Sequence, residues 1–230
     1  MAPANTHAPF DYDSDPERFL LAALVAERTA TADLHAEVAG RLTGLAPVLD
    51  LDCGPGALAR ALPAAPTVLV GLDRSGTMLA RNPLPMRIRG DATGLPFPGG
   101  VFGAVVSINV LYHLSDPRPA LAEARRVLRP GGLLAVATTS RQDSPELAGV
   151  WQPEPSTFDS EDAPGMVAEL FGEVEVDAWD APLVRLPDRA TVADYLVARY
   201  FRREEAEAAA ERVEVPIEIT KRGAVVYARR

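Results

Sequence analysis

The sequence predicts a doubly wound α/β domain, in which helices cover both faces of a mostly parallel, seven-stranded sheet. Between residues 47 and 139, short apolar runs alternate with helical or turn segments. These runs are apolar at every position rather than at every second one, which is typical of parallel strands buried on both faces. Acidic residues follow successive runs, at the edge of the sheet where such domains bind ligands.

Charge and composition restrict the function classes and the partners. The net charge of −9 and the pI near 4.9 disfavour nucleic acid, because backbone-tracking proteins need clustered positive charge. Lys221 and Arg222 could still form a local basic patch. Cys53 is the only cysteine, so no disulfide forms within the chain and a reducing cytoplasm is the expected location. One cysteine and three separated histidines also disfavour a zinc site.

The N-terminal segment, residues 1–42, is expected to form a tail and a helical lid. Residues 1–9 are rich in Ala and Pro and are predicted to be disordered. Asp15 and Pro16 mark a helix start, and the apolar face beyond them breaks near residues 29–31, so one helix and two helices both fit. The apolar run within this segment is too short to span a bilayer, and acidic residues precede it, so neither a membrane partner nor a signal peptide is expected.

Residues 43–140 are predicted to form the core of the domain, and residues 141–230 are predicted to complete the same domain. The predicted strands are 48–51, 67–72, 86–89, 102–108, 133–137, 172–179, 217–219 and 224–228, the last two being terminal strands or a hairpin around Lys221–Gly223. The predicted helices are 57–62, 75–81, 119–128, which Pro130 stops, and one long helix over 191–212.

The turn after the first predicted strand and the acids after the next two indicate a nucleoside site. Gly54 and Gly56 permit positive φ and a close approach of a ligand to the backbone. Asp73 ends the second run and can accept two hydrogen bonds from a ribose diol. Asp91 ends the third run, where its carboxylate or the neighbouring backbone can bind an adenine amino group. A single acid of this kind more often caps the next helix, but three in register favour a nucleoside.

Several segments closely resemble the sequence motifs of class I methyltransferases that use S-adenosylmethionine (SAM). The resemblance covers about residues 45–140 well and implies the Rossmann-like methyltransferase fold with a helical cap. Within that family the chain is similar to the small-molecule methyltransferases of quinone and natural-product pathways. Ala57-Leu58-Ala59 follows Gly56 where an NAD fingerprint needs a third glycine. The matching segments are Val48–Gly56, Gly71–Leu79, Gly90–Phe97, Ser107–His113 and Leu128–Gly132.

This resemblance implies a set of SAM-binding positions. They are Asp50, Asp52, Gly54 and Gly56 at the methionine part, Asp73 at the ribose, Met78, Asp91 and Ala92 at the adenine, and Asn109 and Val110 below the sulfonium. The chain departs from the family at two positions, because Asp52 replaces the usual glycine and Gly103 replaces a common acid before the fourth strand. An aspartate adopts the required turn more readily than most non-glycine residues.

His113, which follows the fourth predicted strand, is the candidate catalytic base. It is expected to face the methyl group, and a base adds a factor of about 10²–10⁴ where the acceptor must lose a proton. The alternative is that His113 bonds to backbone and shapes the pocket floor. Cys53 is expected to be a packed residue rather than a nucleophile. Tyr195, Tyr200 and Phe201 could line a substrate pocket or pack in the core.

The leading interpretation is a SAM-dependent methyltransferase with a small-molecule acceptor. The core would hold SAM, while the N-terminal helices and residues 141–215 would form the acceptor pocket. One alternative is a SAM-binding protein that regulates or catalyses another reaction, and a second, disfavoured by charge, is an RNA methyltransferase. The acceptor, the methylated atom and the oligomeric state are left open by the sequence.

Overall fold

This computed structural model describes residues 12–13, 15–62 and 68–230. Within these residues the chain forms seven strands and eight α-helices. The strands are β1 Val48–Leu51, β2 Leu69–Asp73, β3 Arg87–Arg89, β4 Phe102–Ile108, β5 Leu128–Thr139, β6 Val174–Leu186 and β7 Ile217–Arg229. The helices are α1 Pro16–Thr29, α2 Leu34–Gly40, α3 Ala57–Ala61, α4 Gly76–Arg81, α5 Arg118–Val127, α6 Ala163–Phe171, α7 Arg189–Val197 and α8 Arg203–Ala210. None of the helices within these residues has the length and apolar character needed to cross a bilayer.

The sheet has the strand order β3-β2-β1-β4-β5-β7-β6. β1 pairs in parallel with β2 and β4, β3 extends the sheet from β2, and β5 extends it from β4, also in parallel. β7 runs antiparallel to β5. The predicted doubly wound, mostly parallel fold is therefore confirmed. The chain reverses its strand order beside β1, so the loops after β1, β2 and β4 surround the crevice where such sheets bind ligands.

Two compact units share the chain. The larger unit comprises residues 33–141, 155–178 and 223–230. Its core packs the apolar side chains of β1, β4 and β5 against those of α5 and α6, with Phe158 among the largest fully buried residues. Complete burial of such side chains contributes roughly 1.5–3 kcal/mol each, so this core is the main source of stability for the unit.

The smaller unit comprises the described residues up to Ala32 together with residues 142–154 and 179–222. In it α1 packs on α7, and α7 packs on α8. Its core includes Leu147, Leu196 and Ile219, all fully buried. The predicted disorder of residues 1–9 concerns a segment outside the described residues.

The N-terminal segment forms two helices, α1 and α2, which decides between the two alternatives that the sequence allowed. Asp33 separates them as the N-cap of α2, where its Oδ1 accepts the backbone N–H groups of His35 at 2.9 Å and Ala36 at 3.2 Å. These bonds satisfy amides that the first turn of a helix leaves without partners, which favours a new helix at this point.

The long helix predicted over residues 191–212 is wrong, because the chain breaks into α7 and α8. Tyr200 has a φ of 70°, a left-handed conformation that a continuous right-handed helix excludes. Beyond the break, the carboxylate of Glu205 accepts the N–H of Arg202 and supports the start of α8. The Ala- and Glu-rich composition favours helix on both sides and so concealed the turn.

The hairpin considered around Lys221–Gly223 is also wrong, since β7 is one continuous strand. Asp143 explains this, because its Oδ1 accepts the backbone N–H of Arg222 at 2.8 Å and its Oδ2 binds the ammonium of Lys221. Both bonds hold the polar residues Lys221 and Arg222 in the strand.

The start of β5 also differs from the prediction. This strand begins at Leu128 rather than at Leu133 and includes Pro130.

Close packing explains why residue 103, in β4, is a glycine. A Cβ atom at this position would lie 2.0 Å from the backbone oxygen of Leu45 and 2.9 Å from Nη2 of Arg129. The N–H of Gly103 also donates to the oxygen of Pro47 at 2.8 Å, which holds the two segments together. The acid common in the family therefore cannot fit here without a backbone shift.

We expect the substitution Gly103→Ala to lower the free energy of unfolding by about 1–3 kcal/mol, since the added methyl group meets backbone that cannot turn away. Gly165→Ala is the matched control in the same unit, because Gly165 lies in α6 with nothing within 4 Å of an added Cβ. Alanine there is expected to be neutral or slightly stabilising. Denaturant titration measures both variants, and wild-type stability for Gly103→Ala would refute the packing argument.

Candidate functional site

Three residues of the turn between β1 and α3 have left-handed backbone conformations. Asp52, Gly54 and Gly56 have φ angles of 50°, 50° and 90°. The positive φ predicted for the two glycines is confirmed, and Asp52 adopts the same conformation despite its side chain. A Cβ at Gly56 would lie 2.6 Å from Cδ of Pro83, so glycine is required there.

Asp73 ends β2 and holds this turn to the next one. Its Oδ2 accepts the N–H of Gly54 at 2.8 Å, and its Oδ1 accepts the N–H of Ser75 at 2.7 Å. The residue is only 7% exposed, so both bonds are shielded from water. Ser75 in turn caps α4 by accepting the N–H of Met78 at 3.0 Å. The ribose contact predicted for Asp73 stays a prediction.

Asn82 is a site residue that the sequence reasoning missed. It is 1% exposed at the end of α4, where its Nδ2 donates to the oxygen of Gly54 at 2.9 Å and to Sγ of Cys53 at 3.2 Å. Its Oδ1 accepts the N–H of Leu84 at 3.0 Å. Asn82 therefore holds the oxygen of Gly54, the residue whose N–H donates to Asp73. An asparagine directly before Pro83, just beyond a short helix, was the available signal for a local turn.

Carboxylates crowd the carboxyl ends of β1 and β2. Burial, reinforced by Asp73 and Asp52, raises the pKa of Asp50 to about 8. Burial, reinforced by Asp73 and Asp91 and opposed by Arg74, raises the pKa of Asp52 to about 7. At neutral pH this cluster therefore retains protons that ordinary aspartates lose. A cationic group placed beside it would favour the ionised forms and would itself be stabilised.

The residues predicted to contact adenine differ in their exposure to solvent. Asp91 is exposed, and its Oδ1 accepts the N–H and the hydroxyl of Thr93 at 2.8 and 2.7 Å, which lowers its pKa. Met78 is 2% exposed and Ala92 is 1% exposed. Both side chains therefore pack within the protein, and their contacts with adenine stay predictions.

Asn109 follows β4 in a left-handed conformation, with a φ of 58°. Its N–H donates to the oxygen of Ala137 at 2.9 Å, which anchors the backbone to β5. Its Oδ1 is buried and accepts no hydrogen bond from the described residues. A buried acceptor without a donor costs about 1–3 kcal/mol, so this position favours a ligand that brings an N–H or O–H group. Val110, next in the chain, is buried.

His113 lies in a 3₁₀ turn, Leu111–His113, that follows Val110. Its N–H donates to the oxygen of Val110 at 2.9 Å, and its ring centroid lies 4.3 Å from that of Tyr112. Burial lowers the pKa of the imidazole to about 4. The ring is therefore neutral at pH 7 and can accept a proton, but it is a weak base.

Cys53 and the aromatic candidates are mainly packing residues. The Cys53 thiol is buried, and burial together with Asp50 and Asp73 raises its pKa, so no thiolate forms at neutral pH. The predicted packing role of Cys53 is therefore confirmed. Tyr195 is 3% exposed and belongs to the core of the smaller unit, against which Phe201 packs.

Comparison with known proteins agrees with this geometry. Residues 49–136, which contain β1 to β5 nearly completely, match the family described as methyltransferase domain. The chain is 39% identical to the demethylmenaquinone methyltransferase of Lactiplantibacillus plantarum over 125 residues, covering 48% of this chain and 52% of that protein. It is 35% identical to the malonyl-[acyl-carrier protein] O-methyltransferase of Salmonella typhimurium over 117 residues, covering 48% and 47%. The chain thus spans about half the length of the curated relatives it matches.

Solved structures share the fold over a longer part of the chain. A SAM-dependent methyltransferase from Archaeoglobus fulgidus superposes with a TM-score of 0.59, at 14% identity, covering 90% of this chain and 99% of that one. The family match lies on the strands that hold the turn, Asp73 and Asn109. Residues 49–136 therefore match a methyltransferase domain, and the seven-stranded sheet that contains them shares the fold of a solved SAM-dependent methyltransferase.

Proposed function

We propose that this chain is a SAM-dependent methyltransferase that acts on a small-molecule acceptor. The observation that carries the proposal is the left-handed turn Asp52–Gly56, which Asp73 and Asn82 hold through the N–H and the oxygen of Gly54, within the residues that match a methyltransferase domain. A turn fixed in this way presents backbone groups to a ligand without a conformational cost at the moment of binding.

The residues around the turn fit SAM in charge and in hydrogen bonding. The buried Oδ1 of Asn109 lacks a donor among the described residues, and the amino acid part of SAM carries an ammonium group. The carboxylates of Asp50 and Asp52 favour a nearby cation, and SAM carries two. We assign the ribose to Asp73 and the adenine edge to Asp91. When bound, SAM supplies a methyl group already activated by its sulfonium.

Positioning is the main contribution that we assign to the protein. An activated methyl donor needs an aligned acceptor, and orientation of two reactants contributes roughly 7–11 kcal/mol to lowering a barrier. The fixed turn and the buried ends of β1, β2 and β4 would orient the donor. We assign acceptor binding to the N-terminal helices and to residues 141–215.

A small-molecule acceptor is supported by the charge and by the relatives. The net charge of −9 disfavours RNA, which needs clustered positive charge. The two relatives named above are a demethylmenaquinone methyltransferase and a malonyl-[acyl-carrier protein] O-methyltransferase. The single cysteine, Cys53, supports a cytoplasmic location for the reaction.

The first test is transfer of label from methyl-labelled SAM to the small-molecule fraction of a cell extract. We expect Asp73→Ala to prevent transfer at low SAM concentration, because loss of a charged acceptor costs roughly 1.5–3 kcal/mol, or about 10–150-fold in Kd. Calorimetry measures the Kd, Asp73→Asn should give an intermediate loss, and exposed Asp116→Ala is the control. SAM binding without label transfer to any extract would contradict methyl transfer and favour a SAM-binding role.

The second test concerns Asp52 and pH. If its carboxylate pairs with the SAM ammonium, binding favours the ionised form, so affinity rises as pH rises through about 7. We expect Asp52→Asn to bind SAM more weakly at pH 8 and to lose most of this rise. Calorimetry in two buffers of different ionisation enthalpy measures the released proton, and tighter binding by Asp52→Gly than by wild type would contradict the pairing.

Unfolding of the ligand-free protein provides a second readout for Asp52. Its pKa in the folded state, about 7, lies above the ordinary value of an aspartate, so its contribution to stability is favourable at low pH and is lost as pH rises from about 4 to about 7. Asp52→Asn should therefore flatten this decline in stability, relative to wild type, while Asp50 continues to contribute.

The third test concerns His113. A base with a pKa of about 4 is already deprotonated above pH 5. If His113 is the base, its titration should leave the kcat of wild type constant from pH 7 to 5 and should lower kcat as pH falls through about 4. His113→Ala is expected to lower kcat by about 10²–10⁴ with little change in the Kd for SAM. An unchanged kcat at every pH would exclude the base, and a raised KM with a small loss of kcat would favour the pocket-floor role.

A further inference from the structure

Arg199, just beyond α7 in the smaller unit, has a guanidinium that stacks on aromatic rings. The guanidinium carbon lies 3.3 Å from the ring centroid of Tyr195 and 5.0 Å from that of Trp151. One N–H group, on Nη1, donates to the backbone oxygen of Tyr195 at 3.0 Å. Stacking uses the faces of the planar guanidinium and leaves its N–H edges available for hydrogen bonds.

The Tyr195 ring that carries Arg199 is held at its other end by a buried polar network. Its hydroxyl lies 3.2 Å from Oγ of Ser144 and 3.5 Å from Nζ of Lys221. Lys221 pairs with the buried Asp143, which also accepts the hydroxyl of Ser144 at 2.9 Å. The charges of this pair balance each other, so the network fixes the ring without neutralising Arg199.

Arg199 carries a charge that no acidic side chain in the described part of the chain neutralises. Among the described residues, no carboxylate forms an ion pair with Arg199, although it is only partly exposed. Three other arginines of the same unit do pair with carboxylates, namely Arg189 with Glu211, Arg203 with Asp194 and Arg222 with Asp180. In a chain of net charge −9, a stacked arginine without an acidic partner is a position where a bound anion would be stabilised.

We propose that Arg199 binds the carboxylate of a small molecule whose apolar body rests against Trp151. The planar fork of a guanidinium matches a carboxylate through two parallel hydrogen bonds. Trp151 is half-buried, as are Val150 and Phe201, which pack against the same apolar core, and such side chains suit an aromatic or alkyl body. Where this molecule is the methyl acceptor, the inference rests on the proposed function, and the acceptor is then an aromatic or aliphatic acid.

Tryptophan fluorescence tests the proposal without SAM and without turnover, so failure of methyl transfer does not affect the result. The chain has two tryptophans, and Trp179→Phe leaves Trp151 as the single reporter beside Arg199. In that background, at constant ionic strength, benzoate is titrated against the isosteric neutral benzamide. We expect benzoate to change the emission of Trp151 saturably and benzamide to bind at least tenfold more weakly.

Variants at Arg199 separate charge from stacking. Arg199→Met keeps an apolar side chain on the rings and should weaken benzoate binding at least tenfold, and Arg199→Lys should weaken it less, because it keeps the charge but loses the fork. Arg212→Met, at an exposed position of the same unit, is the matched control and should bind as wild type. Circular dichroism and thermal unfolding establish that each variant is folded. Equal binding of benzoate and benzamide, or wild-type affinity in a folded Arg199→Met, would overturn the proposal.

Discussion

The two hydrogen bonds that Asp73 accepts, from the N–H groups of Gly54 and Ser75, are the constraint on which the site depends. They join the turn after β1 to the turn after β2, and parallel pairing of these strands places both turns at one edge of the sheet. Asn82 also donates to the oxygen of Gly54, so both the N–H and the C=O group of Gly54 are hydrogen-bonded. The left-handed conformations at Asp52 and Gly56 are thereby maintained, because strained backbone persists only where its surroundings determine it.

The same arrangement brings carboxylates close together, and a cationic ligand would relieve their mutual repulsion. Asp50, Asp52 and Asp73 are drawn together by strand register, and burial adds to their mutual repulsion. The ligand-free protein lowers this repulsion by keeping protons on Asp50 and Asp52. A ligand with positive groups at the same edge would replace those protons, so the affinity for such a ligand would rise with pH as the carboxylates ionise.

The sequence predicted those parts of the structure that depend on local pattern. The apolar runs placed β1 and β4 at their observed bounds, and the spacing of Gly54 and Gly56 predicted the left-handed turn. It did not predict Asn82, because the reach of that amide to Gly54 depends on how α4 packs against β1 and β2. The break at Tyr200 was hidden since Ala and Glu favour helix on both sides of it.

The carboxylate cluster and Arg199, which lie in different units of the chain, would suit ligands of opposite charge. The larger unit concentrates carboxylates at the ends of β1 and β2, which suits a cationic donor. The smaller unit places Arg199 on aromatic rings with no acidic partner among the described residues, which suits an anion. The carboxylate cluster would repel an anionic ligand. Arg199 would attract one, because stacking on Tyr195 holds its guanidinium in place without neutralising its charge.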